Sequence, residues 1–271
     1  MKTILITGCS SGIGEATARH FAAQGWNVAA TMRNPAAAKQ LEGVPNIKLF
    51  ALDVTDKASV ERAVAEALAA FGGIDALVNN AGYGLFGPFE TASDEAIARQ
   101  FQTNVFGLFD VTRAVLPAMR AQRSGVIVNI SSIGGLTTFP LNSLYHATKF
   151  ALVGFSESLG FELAPFGIKV KIVAPGGVAT DFAGRSLATT FSDDNHPYAA
   201  MAGKVIAAFS ANRTYYSTSQ QLAEAIYEAV TDGTGKTRYV VGEDAVGLLA
   251  ARAKMTDEQY VAFMTARMGL A

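Results

Sequence analysis

Ser132, Tyr145 and Lys149 are the residues of this sequence whose types and spacing point to chemistry. A tyrosine followed one helical turn later by a lysine presents a phenol and an ammonium on the same face. A free phenol ionises near ~10 and is a poor base at neutral pH, but a cation within a few ångströms favours the phenolate and moves that pKa down. Such a pair works as a general acid and base on a substrate oxygen. Ser132, just beyond an apolar run, stands where a second hydroxyl hydrogen-bonds the same oxygen. Tyr and Lys at this spacing are common on helices, so the pair gains meaning only from the elements that position it.

The run Val126-Ile127-Val128-Asn129-Ile130 reads as a buried strand that delivers Ser132 at its carboxyl end, and Ser143 to Pro165 reads as the helix carrying Tyr145 and Lys149. Near the amino terminus, Thr3 to Thr7 reads as a strand and Gly12 to Gln24 as a helix, joined through Thr7-Gly8-Cys9-Ser10-Ser11-Gly12-Ile13-Gly14. Glycines there allow a tight turn and close backbone approach, and the free N–H groups of a helix start suit a pyrophosphate. Cys9 within this turn reads as a small packing residue. Further strands are expected at Asn27 to Thr31, Ile47 to Ala51, Ala76 to Asn79, Ile168 to Ala174 and Arg238 to Val241. Helices are expected at Pro35 to Glu42, Asp56 to Phe71, Asp94 to Arg120 and Gln220 to Thr231. Asp56 and Ser93 read as N-caps, and Gly25, Gly72-Gly73 and Gly167 as helix stops. This alternation, with strands almost wholly apolar, predicts the α/β class: one Rossmann-type domain over 1–271, a doubly wound parallel sheet of about seven strands with helices on both faces. The stretch from about 180 to 217 breaks the alternation; a substrate lid and an ordinary surface excursion both fit it.

Half of the 271 residues are apolar and Lys+Arg 22 balance Asp+Glu 23, which leaves no basic field for nucleic acid or an anionic membrane. Cys9 is the only cysteine, so no intrachain disulfide can form, and a reducing compartment, by default the cytoplasm, is expected. No apolar run reaches the length of a spanning helix. His20, His146 and His196 show no ligand spacing, and no metal site is expected.

The glycine stretch, Ser132, and Tyr145 with Lys149 together resemble the classical short-chain dehydrogenase/reductases, most of all members of the NADP(H)-preferring hydroxysteroid and retinol dehydrogenase type. The resemblance implies an oxidoreductase interconverting a carbonyl compound and a secondary alcohol. In it Tyr145 is the general acid/base, Ser132 steadies the oxygen, Lys149 tunes Tyr145 and holds a ribose, and Asn104 kinks its helix and holds a water on a proton relay. It further implies that Gly8, Ser10, Ser11, Gly12, Ile13 and Gly14 cradle the cofactor. Asp53 and Val54 would meet adenine, and Asn80, Ala81 and Gly82, after strand four, would bind the cofactor as well. Pro175 and Gly176 open the nicotinamide segment, where Val178 and Thr180 would hold the carboxamide.

The end of strand two, Ala30-Thr31-Met32-Arg33-Asn34, carries no carboxylate to accept from a ribose 2′-OH, whereas the Arg33 guanidinium suits a 2′-phosphate. NADP(H) is therefore expected over NAD(H), although Ser11 stands where many NADP-preferring relatives carry a second basic residue. On the family's pattern the substrate meets residues near Tyr83 to Phe89, Phe139 to Leu141, and Phe182, Phe191 and Tyr198. These aromatics favour a bulky apolar ketone or alcohol. Two rival readings are a cofactor-sensing regulator without turnover and a nucleotide-sugar epimerase or dehydratase. The helix through Phe150 and Phe161 is apolar nearly all round, which predicts a homodimer or homotetramer.

Overall fold

The structure, a computed structural model, describes residues 1–179, 187–190, 196–211 and 216–271. Seven parallel strands form the main sheet: β1 (Thr3–Thr7), β2 (Asn27–Met32), β3 (Ile47–Ala51), β4 (Ala76–Asn79), β6 (Gly125–Ile130), β7 (Ile168–Pro175) and β9 (Arg238–Val241). Their order is β3-β2-β1-β4-β6-β7-β9. The chain therefore winds outward from β1 on one side and then returns to β4 on the other, which opens a crevice at the carboxyl ends of β1 and β4. A two-stranded parallel pair, β5 (Gly84–Phe86) with β8 (Leu187–Thr189), lies outside this sheet.

Successive strand side chains point to opposite faces, and each face carries its own core. Ile4 and Ile6 join Phe21 of α1 (Gly12–Ala23) and Leu222 and Ile226 of α7 (Ser219–Thr231), whereas Leu5 joins the other face. There it meets Val60 and Val64 of α2 (Lys57–Phe71), Val111 and Val115 of α4 (Gly107–Gln122), and Leu159 of α5 (Ser143–Leu163). Asp56 caps α2 by accepting from the backbone of Ala58 and Ser59, Ser93 caps α3 (Asp94–Phe101), and Gly72 and Gly167 end their helices in the left-handed region.

Three expectations need correction. Pro35 to Glu42 forms two short 3-10 turns, Pro35–Ala37 and Lys39–Leu41, instead of one helix. A segment this short does not sustain an α-helix alone, and the Gln40 side chain is drawn to the Ser10 carbonyl at 2.9 Å. The Asp94 to Arg120 helix is broken into α3 and α4 by a π turn at Gln102–Phe106. Within 180–217, β8 and α6 (Ala199–Ala211) appear where no regular element was expected. Two further helices, α8 (Glu243–Arg252) and α9 (Asp257–Arg267), close the chain.

Candidate active site

The glycine turn sits at the carboxyl end of β1. Gly8 and Gly12 take φ of 75° and 61°, values that strain any other L-residue. At Gly14 a Cβ would stand 2.3 Å from the Gly8 carbonyl oxygen, so the helix packs directly on the turn. Asn80, just past β4, donates from Nδ2 to the carbonyls of Thr7 (2.9 Å) and Gly8 (3.2 Å). The N–H groups of Asn80 and Ala81 both donate to Thr7 Oγ1 at 3.0 Å. Ser11 stands at the N-cap of α1 but its side chain makes no cap bond, which leaves the first N–H groups of the helix without a side-chain acceptor. Ser10 is exposed beside it and Ile13 packs against the core. Cys9 donates its thiol to the Ile6 carbonyl, and burial pushes its pKa up to about 12, so it is an inert packing group.

Arg33 is exposed directly after β2. Asp53 accepts on one oxygen from the Thr55 N–H (2.9 Å) and hydroxyl (2.8 Å), while Val54 is buried against the start of α4. Pro175 ends β7, and the turn after it is held from two sides. Gly176 N–H donates to the Val241 carbonyl at 2.8 Å, and Gly177 N–H donates to Asp244 Oδ2 at 2.7 Å. Val178 pairs with Ser217; Thr180 lies outside the described residues, as do Phe182 and Phe191.

Ser132 follows β6 and opens a 3-10 turn, accepting from Gly134 N–H at 3.0 Å. Tyr145 and Lys149 share one face of α5, with Lys149 Nζ 5.7 Å from the Tyr145 ring centroid. Tyr145 as a residue is half-buried, but burial around its hydroxyl raises its pKa, with the Ser132 side chain opposing. Lys149 Nζ donates to the Ile130 carbonyl at 2.9 Å, and burial lowers its pKa to about 8. The expectation that the ammonium pulls the phenol down is thus not met here. Both groups are desolvated, each is driven toward its neutral form, and the ammonium is aimed at a carbonyl. Asn104, at the π turn, accepts from Tyr83 N–H (3.0 Å) and donates to the Tyr83 carbonyl (2.9 Å) and Thr148 Oγ1 (3.1 Å). Gly82 runs between them: a Cβ there would stand 3.1 Å from Asn104 Oδ1 and 3.8 Å from Lys149 Nζ. Asn104, Ser132, Tyr145 and Lys149 therefore converge between the ends of β4 and β6.

The short-chain dehydrogenase family model matches residues 2–190. The chain belongs to the short-chain dehydrogenase family. It is 39% identical over 244 residues to an oxidoreductase of Schizosaccharomyces pombe, covering 88% of this chain and 100% of that one. It is 42% identical to the 3-ketodihydrosphingosine reductase of Bacteroides thetaiotaomicron (73% of this chain, 72% of the relative). Human retinol dehydrogenase 8 is likewise 42% identical (69% and 62%). Among solved structures, a short-chain dehydrogenase from Streptomyces avermitilis superposes with TM-score 0.83 at 38% identity, over 97% of this chain and 98% of that one. A 3-ketoacyl-(acyl-carrier-protein) reductase from Brucella melitensis complexed with NADH gives 0.75 at 29% (89% and 96%), and ElxO with NADP bound 0.74 at 29% (91% and 99%). As a short-chain dehydrogenase, the protein is a nicotinamide-dependent oxidoreductase acting on a small molecule.

Sequence reasoning missed three groups beside this site. Asp244 grips the turn after β7, and its Oδ1 is buried with no hydrogen-bond partner among the described residues. Tyr260 of α9 meets Thr137 Oγ1 at 2.6 Å and donates to the Thr138 carbonyl at 2.9 Å. The Thr256/Gln259 capping box that starts α9 was a readable signal for that helix. The third, His146, is next to Tyr145 in the chain, and its lack of ligand spacing left it without a role. A cavity of about 260 Å³ lined by Gly12, Glu15, Ala16, Arg19, Ser219 and Gln220 opens beside α1 and touches the glycine turn through Gly12.

Proposed function

We propose that this short-chain dehydrogenase interconverts a bulky apolar ketone and its secondary alcohol, with NADP(H) preferred. The observation that carries the reading is the convergence of Ser132, Tyr145 and Lys149 beside a glycine turn whose helix start has no side-chain cap. A dinucleotide fits these residues. Gly8 to Gly14 would take the pyrophosphate, Arg33 the 2′-phosphate, Asp53 and Val54 the adenine side, Asn80 to Gly82 and Lys149 the ribose, and Pro175, Gly176, Val178 and Thr180 the carboxamide. When bound, the nicotinamide supplies or accepts a hydride.

In reduction, the Tyr145 hydroxyl gives its proton to the carbonyl oxygen, and its raised pKa keeps that proton in place until the oxygen turns basic. Ser132 holds the same oxygen by a hydrogen bond and fixes its approach. Lys149, near its own pKa at neutral pH, resupplies a proton to Tyr145. Asn104 holds the Tyr83 backbone against α5 and keeps the kinked helix beside Lys149.

The substrate side supports the apolar reading. Phe86, Tyr260 and Met264 form one cluster with Phe139, Leu141, Leu187 and Phe209. Retinol and 3-ketodihydrosphingosine, in the names of two relatives, are a bulky alcohol and a long-chain ketone. We read the chain as one domain in which β8 and α6, the described elements between 180 and 217, cover this side through Leu187 and Phe209. On the far face of α5, Phe150 and Phe161 are exposed, with Phe106 at the π turn. A partner subunit covering them would give the dimer or tetramer; light scattering at micromolar concentration reads it. The decisive test follows cofactor absorbance while NADPH or NADH is incubated with a panel of ketones graded in size and polarity. Oxidation of NADPH fastest with bulky apolar ketones is expected; cofactor binding without oxidation across the panel would overturn the reading.

A further inference from the structure

His146 is the residue next to Tyr145, is buried at 4% exposure, and is bonded through both ring nitrogens. Phe139 N–H can only donate, so Nε2, 2.8 Å away, is the acceptor. The ring proton therefore sits on Nδ1 and is donated to the Gly134 carbonyl at 2.6 Å. These two contacts tie both ends of one loop to α5. Gly134 is also the residue whose N–H is accepted by Ser132 Oγ, and a Cβ on it would stand 2.8 Å from His146 Nδ1 and 3.4 Å from Ser132 Oγ. Gly134 is thus wedged between the histidine and the serine. At the other end, Phe139 stacks edge-on against Phe209 of α6, with ring centroids 5.9 Å apart, in the apolar cluster. Gly134 thus meets one edge of the ring and Phe139 the other.

We infer that His146, as a neutral imidazole protonated on Nδ1, is a positioning residue that sets Ser132 against Tyr145 through Gly134 and sets the substrate wall through Phe139. This rests on the roles of Ser132 and Tyr145 proposed above. The two nitrogens then have separable duties. The Gly134 side governs the reacting oxygen and so kcat; the Phe139 side governs the apolar wall and so KM.

Isosteres split them. Asn places an amide near the Nδ1 position and keeps the bond to Gly134, whereas Gln reaches the Nε2 position and keeps the bond to Phe139. His146→Asn is expected to hold kcat within about threefold while KM rises, and His146→Gln to lose roughly ten- to a hundred-fold in kcat with KM little changed, since small displacements of a positioned group are that costly. NADPH affinity, read by fluorescence, stays unchanged in both. Independently of turnover, the imidazole carbon and nitrogen shifts of native His146 report the Nδ1–H tautomer. An Nε2–H tautomer, or Asn, Gln and Ala variants that share one kcat and KM, would overturn the inference. If the native enzyme instead shows no Tyr145-dependent turnover, the active-site reading fails, and the tautomer measurement still decides the geometry of the clasp.

Discussion

The cofactor side and the substrate side of this crevice are built by different means. Around Gly8 and Gly14 the contacts are main chain on main chain, so a single Cβ would collide with a carbonyl at 2.3 Å, and the Asn80 amide is spent on two backbone oxygens. Around Phe139 and Tyr260 the contacts are among side chains, Phe86, Phe209, Met264 and Met268 with them. A dinucleotide that must approach backbone N–H groups dictates residue type and spacing. An apolar substrate dictates only a volume, which many sequences fill.

The largest effect should fall where the two sides meet. Tyr145→Phe keeps the ring and removes the proton, so kcat is expected to fall by about 10²–10⁴-fold, the usual worth of general acid–base catalysis. NADPH affinity by fluorescence titration stays nearly intact. Retention of more than about a tenth of kcat would break the assignment of Tyr145 and with it the joint between the two sides.

The same contrast explains what could be read in the chain. The seven sheet strands were legible to within a residue or so because sheet strands packed under helices are mostly apolar runs, and the glycine turn was legible because glycine takes φ of 75° and 61° at Gly8 and Gly12 without strain. The substrate side was not. α8 and α9 mix charged and apolar residues over short spans, and β5 pairs with a strand far along the chain, which no local pattern encodes. Asp244 and His146 act through backbone groups brought close only by folding. The electrostatics of the Tyr145 and Lys149 pair also escaped: spacing showed that they neighbour each other, but not that both are desolvated.

Next in size is the cofactor side. Arg33→Ala is expected to weaken NADP(H) relative to NAD(H) by roughly ten- to a hundred-fold, since hydrogen bonds to charged groups are worth about 1.5–3 kcal/mol. The readout is kcat/KM with each coenzyme. No acidic residue stands in Met32, Arg33 or Asn34 to favour a free 2′-OH, so nothing in that segment offsets the change. An unchanged coenzyme ratio would show that the 2′-phosphate is met elsewhere.

On the substrate side, single contacts are worth less. Tyr260→Phe removes the bonds to Thr137 and to the Thr138 carbonyl while leaving the ring in its cluster. A cost of about 1–2 kcal/mol in stability and a several-fold rise in KM for a bulky ketone are expected, with NADPH affinity unchanged. A matching loss of NADPH affinity would mean that the two sides are mechanically coupled.

The smallest effect is one of pH, and it too separates the sides. Burial lowers the pKa of His146 from its ordinary value, and protonation would turn Nε2 into a donor facing the Phe139 N–H. The folded protein therefore favours the neutral ring more than the unfolded chain does. As pH falls below the unfolded value near ~6.5, the unfolded chain takes up the proton first, so this contribution to stability is complete above that value and is lost on the way down to the folded pKa. The titratable groups around the clasp, Tyr145 and Lys149 on α5 and Tyr260 on α9, have raised pKa values for the tyrosines and about 8 for the lysine, so none of them changes charge in the acid window. On the cofactor side Cys9, pushed up to about 12, keeps its proton there too. As pH falls below the ordinary histidine value and the folded ring takes up its proton, KM for a bulky ketone should rise modestly in the native enzyme and stay flat in His146→Asn, while NADPH affinity does not follow either curve. An acid rise in KM that persists in His146→Asn would place the titrating group elsewhere and leave the substrate wall indifferent to this histidine.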